Sequence, residues 1–312
     1  MTEWLNGRRR NGVAVTLPVS VEWFTPKEAA GVLGMTLAGV RAAVQRNRLP
    51  AVGAGKARKL PRATIEMLAS AKARGVSPTT VNHYVRAVRG FFRWLVKAKR
   101  IGINLLDNLS LLNERVDVRR GRRELSADEL QRLLDVAQSS AKTFHGLSGK
   151  DRFTLYLTAA ATGFRANALA NLTPPDFALG TPTATVTLAA RFNKSRKPKV
   201  QPLPSDVADR LREFLATRPA DAPVWGGTWA SDFAAADMIR IDLDAAGIPY
   251  AVEGPDGPQY ADFHSLRHTF LTMPGRNGVD LRTVQELAGH STPVLTARYS
   301  HRSLQDLVRV QG

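Results

Sequence analysis

The chain has 312 residues, 44% of them hydrophobic, with a formal charge of +17 and no cysteine. That is enough for two or three packed domains, and it excludes wholesale disorder, disulfide frameworks, thiolate nucleophiles and cysteine-ligated metal. No apolar run approaches the ~18 residues of a membrane span, and the opening MTEWLNGRRRNG lacks a signal peptide's apolar stretch, so no membrane partner is expected.

The charge is unevenly placed. Residues 1–123 hold 24 of the 44 Lys/Arg but 7 of the 27 Asp/Glu, a net of +17, while the remainder holds 20 of each and is neutral. A basic block of this kind points to a polyanion, most often nucleic acid.

In chain order, residues 1–20 read as a loose basic tail with Arg8, Arg9 and Arg10. Thr25 and Glu28 then form a capping box with Pro26 at the first helical position, and Gly34 is placed to stop the helix. Thr36 can cap a second helix whose Leu37, Val40 and Val44 face inward while Arg41, Arg46 and Arg48 face outward. Two short helices joined by a glycine turn make a helix-turn-helix, and AVGAGKARKLP reads as a basic hairpin carrying Lys56, Arg58 and Lys59. This stretch resembles the winged helix-turn-helix modules of excisionase-like DNA-binding proteins. Ser77 caps and Pro78 opens a longer helix with an apolar face of Val81, Tyr84, Val85, Val88, Phe92, Leu95 and Val96. Arg86, Arg89, Arg93, Lys97 and Arg100 form a second stripe. No acid lies between Val76 and Ile103 to pair with it, so a phosphate-tracking surface is expected.

The charged, glycine-containing stretch before Glu124 is the best linker. Ser126 and Glu129 form another capping box ahead of ADELQRLLDVA, and RFTLYLTAAATGFR reads as a buried helix ending at Gly163. TPTATVTLAA and KVQPLP read as strands joined by the basic turn RFNKSRKP. Further helices are expected at ALANL, VADRLREFLA, 231–246, SLRHTFLTM, LRTVQELAG and PVLTARYS. The fold class is therefore α+β, mainly α with a small antiparallel sheet.

Four of the six histidines, His264, His268, His290 and His301, lie near the end. His264 and His268 are spaced for metal ligation on a helix, but without cysteine or an HExxH glutamate no metal is expected. A phosphate site fits better. His264 and Arg267 share a helix face, Arg165 follows the ATG bend, Lys194 sits in the basic turn and His290 at a helix end. Guanidinium groups match non-bridging phosphate oxygens in a bidentate way, and Tyr299, nine residues after His290, supplies a nucleophile.

TGFRANALANL, HSLRHTFLTMPGRNGVDLRTVQELAGH and RYSH resemble the tyrosine recombinases, the phage-integrase family of site-specific DNA recombinases. The resemblance covers most of 125–301. It implies the catalytic set Arg165, Lys194, His264, Arg267, His290 and the nucleophile Tyr299. Lys194 is preferred over Arg196, Lys197 and Lys199 because it lies eight residues before Pro202. It further implies strand cleavage and rejoining through a 3′-phosphotyrosyl link with no cofactor, and a homotetramer on double-stranded DNA with accessory bending or excision factors. A cytoplasmic, nucleoid-associated location in a bacterium, phage or mobile element follows. The expected organisation is a tail at 1–20, the winged module at 21–70, a short core-DNA-binding region at 71–116, a linker at 117–124 and the catalytic domain at 125–312. Three departures stand out: Ala168 replaces an acidic residue, Pro274 and Gly275 predict a kinked helix, and the core-binding region is short. The competing readings are a type IB topoisomerase-like nicking-closing enzyme and an inactive integrase-derived DNA-binding regulator.

Overall fold

The computed structural model describes residues 21–46, 49–73, 75–254, 257–276 and 281–288. The basic tail, Arg48, His290, Tyr299, the expected helix PVLTARYS and everything after it lie outside the described residues. The chain divides into two compact units, Met1–Arg119 and Arg120–Gly312, a division inside the predicted linker.

In the first unit, strand β1 (Trp23–Phe24) leads into helix α1 (Pro26–Leu33). The Thr25–Glu28 capping box forms in both directions, and Gly34 ends the helix in the left-handed conformation at φ 55°. Helix α2 (Leu37–Arg46) follows, its first turn held by Gly39 N–H donating to Thr36 Oγ1 at 3.0 Å. The expected basic hairpin closes through one antiparallel bridge, Val52 to Lys59, and continues into β2 (Leu60–Pro61), which pairs with β1. Helix α3 (Arg62–Ala73) completes a small core of Phe24, Leu33, Val40, Val44, Leu60 and Ile65. Leu37, expected to face inward, is exposed. At the first position of α2 its side chain has no preceding turn to pack on.

Helix α4 (Pro78–Lys97) starts at the predicted Ser77 cap. Its apolar face is buried only at Val81 and Val85; Tyr84 is 56% exposed, and Val88, Phe91 and Trp94 are exposed with it. The expected apolar face is thus fully buried only near the helix start; Tyr84 and Val88 are exposed, and Phe92, Leu95 and Val96 are half-buried. What packs there is an irregular segment returning along the helix. Buried Asn82 clamps it, donating to Leu112 O at 2.9 Å and accepting from Leu112 N–H at 2.8 Å.

The second unit opens with β3 (Gly121–Arg122), then α5 (Ala127–Ser139) with its predicted Ser126–Glu129 capping box, and α6 (Gly149–Thr162). Ten of the fourteen residues of α6 are buried, which makes it the central helix. Short α7 (Ala166–Leu169), β4 (Phe177–Ala178), β5 (Thr185–Leu188) and β6 (Lys199–Pro202) follow, then α8 (Ser205–Leu215) and α9 (Ala235–Ala245). β7 (Ala251–Gly254), β8 (Gly257–Tyr260), α10 (Ser265–Arg276) and α11 (Leu281–Ala288) end the described chain. The predicted hairpin is the antiparallel pair β5–β6, with β4 added at its edge; β7 and β8 form a second hairpin on which β3 pairs in parallel. The core gathers Tyr156, Trp225, Trp229 and the leucines of α5, α6 and α7. Inside it, Arg152 donates twice to Asp242, at 2.8 and 3.1 Å, and Tyr156 Oη–H adds a third bond at 2.8 Å.

Strands β3 and β4, of two residues, are too short for a period of two to show, and β7 (AVEG) and β8 (GPQY) carry glycine and proline in place of the β-branched alternation of β5. Helix α10 continues through Pro274 to Arg276. The proline deletes one backbone bond without ending the helix.

Candidate active site

Three backbone junctions carry the described members of the predicted set. At the first, α6 ends on Gly163 with φ 63°. A Cβ here would approach Phe270 Cδ1 of α10 to 2.4 Å, so only glycine fits both the left-handed turn and the helix packed across it. Buried Phe164 anchors the next step, and Arg165 then caps α7 with its side chain exposed. Since α7 has only four residues, the guanidinium rather than a helix terminus supplies positive charge here.

At the second junction, His264 lies just ahead of α10 and Arg267 in its first turn. Asp262 accepts from the His264 N–H at 3.0 Å, and Ser265 Oγ–H donates to Tyr260 O at 3.1 Å, which fixes the helix start against β8. Arg267 is 5% exposed and donates from Nη1 to the Gly163 carbonyl. The two predicted arginines are thus tied to one turn, one through its backbone and the other through its side chain.

The third junction is the β5–β6 hairpin. Lys194 sits exposed in the connecting turn. Lys199, the first residue of β6, is instead the lysine that senses the arginine pair. Burial chiefly, then the charge of Arg267 and then that of Arg165, pushes its ammonium down to about 8. Lys199 Nζ lies 5.8 Å from the centre of the Phe164 ring and donates to the Leu287 carbonyl in α11. The sequence offers Lys199 only as one of several basic residues in the hairpin; the signal that distinguishes it is strand position.

Burial also holds His264 and His268 down to about 4, helped by the positive charge of Arg122, while Asp262 pulls the other way. The two imidazoles meet edge to face at 5.6 Å. At neutral pH both rings are uncharged, so each offers one N–H donor and one acceptor nitrogen. Arg122, a residue of the predicted linker, pairs with Asp262 at 2.8 Å. Sequence reasoning passes over it because it lies 142 positions from His264. Ala168 is buried in the core. Among the described residues no cluster of three metal-ligating side chains occurs.

The residues expected to meet nucleic acid divide by environment. Arg41, Lys59, Arg93, Lys97 and Arg100 are exposed, and Arg58 is half-buried. Two members of the α4 stripe have intramolecular partners: Arg86 pairs with Glu114 at 2.9 Å, and Arg89 donates to Leu109 O and Asp107 O at 3.3 and 3.2 Å. Arg48 and the side chains of Arg46 and Lys56 lie outside the described residues.

Residues 123–305 match the phage integrase family. The tyrosine recombinase XerC of Rhodospirillum centenum is 31% identical over 248 residues, covering 78% of this chain and 68% of that protein. The tyrosine recombinase XerA of Thermococcus kodakarensis is 27% identical, covering 79% of each. Among solved structures, the XerH site-specific recombinase bound to palindromic difH substrate superposes with a TM-score of 0.59 at 19% identity, over 91% of this chain and 82% of that one. The Tn1549 transposon integrase with circular intermediate DNA gives 0.54 at 18% identity, over 79% and 83%. With that family match covering more than half of the chain, including α11, and with a relative above 30% identity, the chain belongs to the phage integrase family, the tyrosine-type site-specific recombinases.

Proposed function

We propose that the chain cuts and rejoins double-stranded DNA through a 3′-phosphotyrosyl intermediate on Tyr299. What supports this reading is that Arg165 follows the Gly163 turn, that buried Arg267 donates to the Gly163 carbonyl, and that His264 lies three residues before Arg267. Arg165 and Arg267 clamp the non-bridging oxygens of the scissile phosphate and stabilise the charge that grows as phosphorus becomes pentacoordinate. Tyr299 Oη attacks phosphorus, its proton passing to His264 or His290. The P–O5′ bond breaks, and Lys194 delivers a proton to the departing 5′ oxygen. A 5′-hydroxyl from the partner strand then reverses the step. One phosphodiester is exchanged for one phosphotyrosyl ester and back, so neither ATP nor metal is needed to conserve the bond.

The exposed basic groups of the first unit, on the winged module and on α4, would track phosphates, and assembly as a homotetramer on two duplexes follows the family pattern. XerH and the Tn1549 integrase, the fold relatives above, are both seen with DNA. The test is a nicked suicide duplex containing the target site. Wild type should accumulate a covalent protein–DNA adduct and Tyr299→Phe none; an adduct that survives Tyr299→Phe removes the mechanism.

A further inference from the structure

We infer that Lys199 is a positioning residue that holds the last turn of α11 beside the Arg165–Arg267 pair by donating to the Leu287 carbonyl. The inference rests on the recombinase reading above and adds a role that Lys194 does not fill. Helix α11 is described as far as Ala288, and among the described residues the Leu287 carbonyl, in its last turn, accepts from Lys199. That end of the helix is its negative pole, where an ammonium is favoured. Lys199 reaches it from β6, where backbone pairing to Leu188 fixes the lysine's base. Two arginines repel the ammonium, and burial disfavours its charge. The pole of α11 is the counterweight described for it, and the Phe164 ring adds a weaker one. With a value of about 8 the amine is still mainly protonated at neutral pH and can hold the carbonyl.

The consequence runs along the chain. His290 follows Leu287 by three residues and Tyr299 by twelve. Tethering Leu287 fixes where the segment carrying both groups departs, relative to the arginines that receive the phosphate. On this reading the Lys199 ammonium is engaged by the Leu287 carbonyl, and protonation of the leaving oxygen stays with Lys194.

The experiment uses the full chain in two arms. Without DNA, hydrogen exchange is followed in peptides covering 281–288 for wild type, Lys199→Met and Lys199→Arg. Lys199→Met should speed exchange there about tenfold, with the rest of the second unit unchanged, and Lys199→Arg, which keeps a cationic donor, should restore much of the protection. Unchanged exchange in Lys199→Met overturns the inference, and so does faster exchange spread evenly over the unit, which marks general loosening. With DNA, cleavage is compared on an ordinary suicide substrate and on one with sulfur at the bridging 5′ position, whose leaving group needs no proton. Sulfur should rescue Lys194→Met but not Lys199→Met; rescue of Lys199→Met makes Lys199 the acid and overturns the positioning role. Failure of wild type to form any adduct would count against the recombinase mechanism, while the exchange arm still reads the tether.

Discussion

His264 and His268 show how burial in the candidate site shapes the protein's response to acid. Both are held near 4 in the fold, against an ordinary value of 6.5. Between those values the unfolded chain binds protons that the folded chain refuses, so stability rises with pH across the window and is lost as pH falls from about 6.5 to about 4. Replacing His268 with Asn removes one of the two contributions. The melting-temperature difference between variant and wild type should shift in the variant's favour on acidification; a constant difference across the window would contradict the assigned direction. Gln201 is a second residue of this kind. It is 1% exposed, and among the described residues neither end of its amide has a hydrogen-bond partner. The pattern of alternation in KVQPLP assigns it to a strand but says nothing of the missing partner, because partners come from other parts of the chain. The same holds for Lys199, whose importance comes from an arginine 68 positions away and another 34 positions before it.

At the level of elements, capping explains why so much was legible. The boxes at Thr25 and Ser126, the Ser77 cap and the glycine stops at Gly34 and Gly163 are all local, and each forms where the sequence places it. Helix α4 marks the limit of that reasoning. Its two-stripe pattern is local, but the returning segment that uses Arg86 and Arg89 is not. Each lysine or arginine that neutralises a phosphate adds about 0.9 to the slope of log affinity against log salt. Arg93→Ala, Lys97→Ala and Arg100→Ala should each flatten that slope by about 0.9, whereas Arg86→Ala and Arg89→Ala should leave it nearly unchanged. Equal losses at all five positions would mean that DNA displaces Glu114 and the loop carbonyls. The clamp between α6 and α9 is purely structural by contrast. Asp242→Ala strands buried Arg152 and should cost about 3–5 kcal/mol in urea unfolding. A cost below about 1 kcal/mol would show that Arg152 finds another acceptor.

For the whole molecule, the charge asymmetry and the family were readable because charge counts and motif order are linear properties of the chain. The α+β class followed from the alternation of capped helices with one clear hairpin. The second hairpin, β7–β8, and its partner β3 were not readable, since β3 belongs to a sheet only through residues about 138 positions later. That small strand has a mechanical consequence. The covalent path out of the first unit enters the second at Arg120 and becomes β3 one residue later, and β3 lies in register with Gln259 and Tyr260, four residues before His264. Arg122 ties the same strand to Asp262, and Arg120 bonds Tyr250 Oη at 2.7 Å. Any pull along the connecting chain is therefore loaded in shear onto the β3–β8 pairing, just ahead of the helix α10 that carries Arg267.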